Sequence, residues 1–120
     1  VYSFGWTVIE LMTARPPAYA TDDGNIFFLC DHLFAGDGAK QRLLDLLDKP
    51  ALWPTRVARE LADIALRCVY EHDLRPSFLE LTGLLQELQE RTALNKRIVQ
   101  PSEIAKSSNP APRALVYKKV

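Results

Sequence analysis

Glycine, cysteine and long apolar runs are scarce in this sequence, and each scarcity closes off a class of function. Five glycines, at 5, 24, 36, 38 and 83, form neither a G-x-G-x-x-G turn nor a P-loop, so no phosphate cradle is written in the 120 residues. Two cysteines, Cys30 and Cys68, are too few for a disulfide framework at this length and suit buried thiols in a reducing compartment. The longest uninterrupted apolar run, Ile26 to Cys30, falls far short of the roughly 18 to 20 residues a bilayer requires, which argues against a membrane span in this segment. The opening Val1-Tyr2-Ser3-Phe4-Gly5 has no initiator Met, basic region or signal-type apolar stretch, and reads as part of a longer chain. A cytoplasmic setting is expected.

What is present suffices for one small domain. Apolar residues make up 48% of the chain, enough for a core and too many for a wholly disordered polymer. The 15 basic and 15 acidic residues cancel overall but not locally. Residues 1–91 carry 9 basic against 14 acidic groups, and residues 92–120 carry 6 against 1. The six cations of the tail are spread among Ser, Pro and Ala, too thin a footprint for a nucleic-acid partner. That tail, with Pro101, Ser107-Ser108-Asn109-Pro110 and Lys118-Lys119, reads as a flexible linker.

Periodicity places helices on the body. Residues 1–14 are apolar on nearly all sides and predict a buried helix that ends at Arg15-Pro16-Pro17, because proline lacks the backbone donor. A loop with the turn signal Thr21-Asp22-Asp23-Gly24 follows. Ile26 to Ala35 fits helix or strand by periodicity, and helix is favoured because Asp31 and His32 break a strand's alternation. Gln41 to Asp48 predicts a short amphipathic piece. Thr55 to Tyr70 sets Val57, Leu61, Ile64, Ala65 and Cys68 on one stripe, the clearest amphipathic helix in the chain. Ser77-Phe78-Leu79-Glu80 fits a capping box opening a last helix to about Arg91, with Phe78, Leu81, Leu84, Leu85 and Leu88 facing the core. No repeat or strand-rich region is visible, so the body is expected to be all-α.

Few residues suggest chemistry. Cys30-x-His32 with Cys68-x-x-x-His72 could supply four zinc ligands, but the spacing matches no finger pattern and structural thiols explain it better. The acid pairs Asp22-Asp23, Asp45 with Asp48, and Glu71 with Asp73 fall in loops or on helix surfaces, where solvated carboxylates are the default. Tyr2, Trp6, Phe27, Phe28, Trp53 and Phe78 lack the interleaved cations of a base-stacking platform and are assigned to the core. Arg75, fixed in a turn and followed by Pro76, would be expensive to bury without a carboxylate partner.

Taken in order, these motifs resemble one family. Val1-Tyr2-Ser3-Phe4-Gly5 with Ile9-Glu10-Leu11-Met12-Thr13-Ala14-Arg15-Pro16-Pro17 resembles the long central helix of the protein-kinase C-lobe, written D-V-Y-S-F-G and E-L-L-T-G-R-P-P in plant receptor-like kinases. Ala14 stands where those kinases carry Gly. Ala65-Leu66-Arg67-Cys68 and Leu74-Arg75-Pro76-Ser77-Phe78 resemble the A-x-R-C and R-P-S signature that closes kinase domains. Leu52-Trp53-Pro54 is similar to the kinases that carry a C-terminal U-box, although residues 92–120 show no U-box feature.

The resemblance implies a helical partial C-lobe over residues 1–91, with residues 92–120 as a disordered basic tail. It implies structural roles for Gly5, Trp53, Cys68 and Arg75, the last toward the Glu of an upstream A-P-E motif. The parent would be an ATP- and Mg²⁺-dependent serine/threonine kinase, on the cytosolic side of the membrane if a receptor. The glycine-rich loop, strand Lys, H-R-D Asp and D-F-G Asp are not among these 120 residues, so the fragment is expected to hold no catalytic, cofactor or metal residue and to be inactive alone. Its partners are expected to be proteins, including the missing N-terminal part of the kinase domain. The apolar residues Ile26, Phe27, Phe28 and Leu29 are candidates for docking a substrate or partner. The alternatives are a kinase-like interaction module of a U-box ubiquitin ligase, or a truncated product without function.

Overall fold

A computed structural model describes residues 1–98, and of 95–98 the backbone alone. Five helices and one short hairpin follow in the order α1 (Tyr2–Thr13), β1 (Ala18–Ala20), β2 (Ile26–Phe28), α2 (Leu29–Leu33), α3 (Ala39–Asp45), α4 (Thr55–Val69) and α5 (Phe78–Ile98). The all-α class expected of a kinase C-lobe fragment is the class observed, with the hairpin as its one strand pairing among the described residues.

Helix α1 stops as the prolines require, and Ala14 takes a left-handed turn with φ of 54° at its C-terminal cap. An L residue is strained in that conformation by roughly 1–2 kcal/mol, which is why glycine is the usual occupant. Beyond it the chain departs from expectation. Ile26 to Phe28 is a strand, paired antiparallel with Ala18–Ala20 in the register Ala18 to Phe28, Tyr19 to Phe27 and Ala20 to Ile26. The turn that sequence marks at Thr21-Asp22-Asp23-Gly24 closes this pairing. The Thr21 and Gly24 N–H groups donate to Asn25 and Thr21 carbonyls, and Gly24 takes the positive φ of 82° that the turn needs. A run of β-branched and aromatic residues beside a closed turn pairs more readily than it helices, and the helix begins only at Leu29.

The core forms around α4, whose two sides serve two clusters. Ala58, Ala62, Ala65, Leu66 and Val69 pack with Val8, Ile9 and Met12 of α1, Leu29 and Leu33 of α2, and Leu43 of α3. Ile64 and Cys68 pack with Leu81 and Leu88 of α5. Three alanines at this seam leave room for a close helix pair, and Gly5 sets its closest point. A Cβ there would lie 2.6 Å from Cys68 Cβ and 3.0 Å from the Ala65 carbonyl oxygen.

Helix α5 opens on the expected cap, with the Glu80 N–H donating to Ser77 Oγ at 3.1 Å. The Glu80 carboxylate then accepts from the Ser77 hydroxyl at 3.2 Å, where a full capping box would take the Ser77 backbone N–H. The helix runs to Ile98, past the expected end near Arg91, because neither glycine nor proline intervenes. The chain divides into compact units within α5, after Leu88; Val1–Leu88 holds both core clusters. The predicted tail beyond Ile98 lies outside the described residues.

Candidate docking face

Helix α1 is apolar all round but only partly covered. Gly5, Val8, Ile9, Met12 and Thr13 are buried, whereas Tyr2, Phe4 and Leu11 are exposed, Leu11 by 66%. The hairpin is bare in the same way, with Ile26 62% and Phe28 50% exposed. Between the two lies a largely apolar cavity of about 310 Å³, walled by Tyr2 and Trp6 of α1, Ala18 and Phe28 of the hairpin, and Cys30 and Asp31 of α2. Of these exposed residues Tyr2 and Phe28 line the cavity, and exposed apolar residues around a concavity mark an interaction surface more often than scattered single ones do.

Several expected assignments change here. Of the docking candidates, Ile26 and Phe28 lie at the surface and Phe27 is half-buried against Tyr19, with ring centroids 5.0 Å apart. Leu29 is fully buried and belongs to the core, because the strand ends at Phe28 and the first turn of α2 points it inward. Tyr2, Phe28 and Phe78, assigned to the core by sequence, are exposed; Phe78 sits at the solvent side of the first turn of α5, 67% exposed. The expectation of two buried thiols holds only for Cys68. Burial pushes the Cys68 thiol up from its ordinary pKa, while Cys30 is exposed at the cavity.

Arg75 is half-buried in the turn before α5. Its Nε donates to the Tyr70 carbonyl at 2.8 Å, and its guanidinium lies over the Tyr2 ring, 4.6 Å from the centroid. Among the described residues a π face and a carbonyl engage Arg75, whose carboxylate partner was expected to lie outside this chain. Arg75 also lines a second cavity of about 500 Å³ with Tyr2, His72, Ser77 and Glu80. Trp53 packs half-buried on the core, and its buried indole N–H has no acceptor among the described residues.

Sequence reasoning missed the contacts that knit this region together. Tyr2 meets Trp6 edge to face at 6.4 Å, Trp6 meets Phe34 at 6.4 Å, and Phe34 meets Tyr70 at 5.6 Å. The Arg75 bonds to Tyr70 and Tyr2 then close a ring of five residues from four parts of the chain. Arg42 was missed as well: its guanidinium donates to the Leu33, Gly36 and Asp37 carbonyls. The only signal for it was a cation a few residues after the turn Gly36-Asp37-Gly38.

Among the described residues no three His, Cys, Asp or Glu side chains come together for a metal ion, so Cys30, His32, Cys68 and His72 do not combine. Gly24, Gly36 and Gly38 take positive φ, the first two in turns and the last at the start of α3. No helix among the described residues is long and apolar enough to cross a membrane.

Comparison with known proteins supplies the relationship. No protein-family model matches the chain. Over 92 residues it is 30% identical to "Probable serine/threonine-protein kinase PBL2" of Arabidopsis thaliana, an alignment covering 74% of this chain and 22% of that protein. The chain is kinase-related in sequence. It spans less than a quarter of the length of the kinase it resembles, and that match lends no support to the U-box subgroup.

Proposed function

We propose that the chain is the C-terminal portion of the C-lobe of a receptor-like serine/threonine protein kinase, whose intact form transfers the γ-phosphoryl group of ATP, with Mg²⁺, to a protein hydroxyl. The observation that carries this reading is the agreement of two independent features. The kinase-like motifs at residues 1–17 and 65–78 are far apart in sequence, yet Gly5 of the first touches Ala65 and Cys68 of the second. A relationship to a kinase over 92 residues supports the same conclusion.

The chain's own part in that activity is a platform. Helix α1 forms the pillar on which catalytic segments of a complete domain rest, and Gly5, Trp53, Cys68 and Arg75 hold its surroundings together. Ile26, Phe28, Tyr2 and Trp6 form a face that docks protein, either the rest of the kinase domain or a substrate on the cytosolic side of the membrane. The phosphoryl-transfer residues are supplied from elsewhere. Calorimetric titration of Mg²⁺–ATP tests the division of labour. The 120-residue chain is expected to give no binding heat and a longer native product to bind; saturable, Mg²⁺-dependent binding by the short chain would overturn the reading.

A further inference from the structure

We infer that the peptide between Asp37 and Gly38 is a site of spontaneous backbone isomerisation, and that the fold shields its counterpart between Asp23 and Gly24. The sequence contains two Asp-Gly steps, both exposed and both with glycine at positive φ, 82° for Gly24 and 90° for Gly38. A glycine has no Cβ, so its amide nitrogen is open to attack the carboxyl of the residue before it. The two steps differ in what their reacting groups already hold.

At Asp23 both groups are occupied. Its carboxylate accepts from the Thr21 hydroxyl, from the Asn25 backbone N–H at 3.2 Å and from the Asn25 side-chain amide at 3.0 Å, while the Gly24 N–H donates to the Thr21 carbonyl at 3.0 Å. Those donors also favour the ionised carboxyl, whereas closure to an imide consumes the protonated form. At Asp37 neither group is engaged among the described residues. The side chain is exposed without a hydrogen bond or ion pair, and the Gly38 N–H, just ahead of α3, has no acceptor. Only the Asp37 main-chain carbonyl is held, by Arg42 Nη1 at 2.6 Å, which leaves side chain and nitrogen free to meet.

The reaction needs no partner but water. The Gly38 nitrogen attacks Cγ of the protonated Asp37 carboxyl, an N–Cγ bond forms, and the N–H proton leaves with the carboxyl hydroxyl as water. A second water opens the five-membered imide at the former main-chain carbonyl. The backbone then runs through Cβ and Cγ, one atom longer at the entry to α3, and the carbonyl that Arg42 held becomes a carboxylate on Cα. Mass and net charge are unchanged.

The full 120-residue chain, incubated at mildly acidic pH and digested with an endoproteinase that cuts before aspartate but not before its isomer, reports both sites in one mass spectrum. In the folded chain Asp37 is expected to convert roughly tenfold or more faster than Asp23, because local structure withholds the reacting groups of the latter. In urea the two rates are expected to agree within about twofold, since neither site keeps its partners. Thr21→Val removes one donor to the Asp23 carboxylate and is expected to speed conversion there and not at Asp37. Equal rates at the two sites of the folded chain, or a lead for Asp23, would overturn the inference. So would a folded chain whose Asp37 stays unconverted while the denatured chain reacts, or a Thr21→Val chain in which both sites rise together.

Discussion

The two sides of α1 teach different things. On its inner side Gly5 lets the helix approach α4 until backbone and side chain almost touch, and Ile9 and Met12 are fully buried. Away from that side Phe4 and Leu11 face solvent, and at the start of the helix the exposed Tyr2 lines a cavity with Phe28 of the hairpin. A helix that is apolar all round belongs in the interior of a larger body, so the bare side is the part of this fold that calls for a cover. The inner side governs stability, and association is the role proposed for the exposed residues.

The inner packing can be broken by mutation, most sharply at Leu43 of α3, which shares the core cluster of Ile9 and Met12. Truncation of this fully buried side chain, Leu43→Ala, is expected to cost about 3 kcal/mol in urea unfolding, from lost burial plus the cavity left behind. Gly5→Ala comes next. Alanine would gain about 1 kcal/mol of helix propensity, but its Cβ would meet Cys68 and the Ala65 carbonyl at distances that neither can relieve, so a net loss of about 2 kcal/mol is expected. Ala14→Gly runs in the opposite direction. Removing the Cβ from a left-handed residue is expected to stabilise the chain by about 1 kcal/mol, and a loss would mean that α1 ends differently in solution.

On the outer side the effects shrink. Phe28→Ser is expected to leave the urea midpoint within about 0.5 kcal/mol of the parent, because the side chain is already half exposed, while raising solubility. A large loss there would erase the distinction between the two sides. The smallest effect concerns pH. Hydrogen bonds from the Thr21 hydroxyl, the Asn25 backbone N–H and the Asn25 side chain hold the Asp23 carboxyl below its ordinary pKa. Its contribution to the turn is therefore complete above the unfolded aspartate value of about 3.9 and is lost as pH falls through the lower folded value. Hairpin amide protection measured against pH should show this acid limb, and Asp23→Asn should remove it.

Sequence was most legible where one physical signal dominated. The α4 stripe, the proline stop after α1 and the Ser77 cap each follow from local chemistry and appear in the fold. The segment 26–35 was harder, since its periodicity allows either state and the deciding factor is pairing with Ala18–Ala20 across a turn. Burial of single residues was harder again: Tyr2 and Phe28 are as apolar as core residues, and only the number of neighbours available to cover them decides their place. The ring through Arg75 joins residues far apart in the chain, and Arg42 reaches carbonyls five to nine residues before it; no spacing rule anticipates either.

The central claim, that this chain is the platform end of a kinase, is tested most directly by reading the native transcript upstream of Val1. The account predicts an H-R-D aspartate and a D-F-G aspartate in that segment, with an A-P-E glutamate placed to meet Arg75. An upstream segment without either aspartate would contradict it, and a U-box downstream in the same transcript would then assign the chain to a ligase arm.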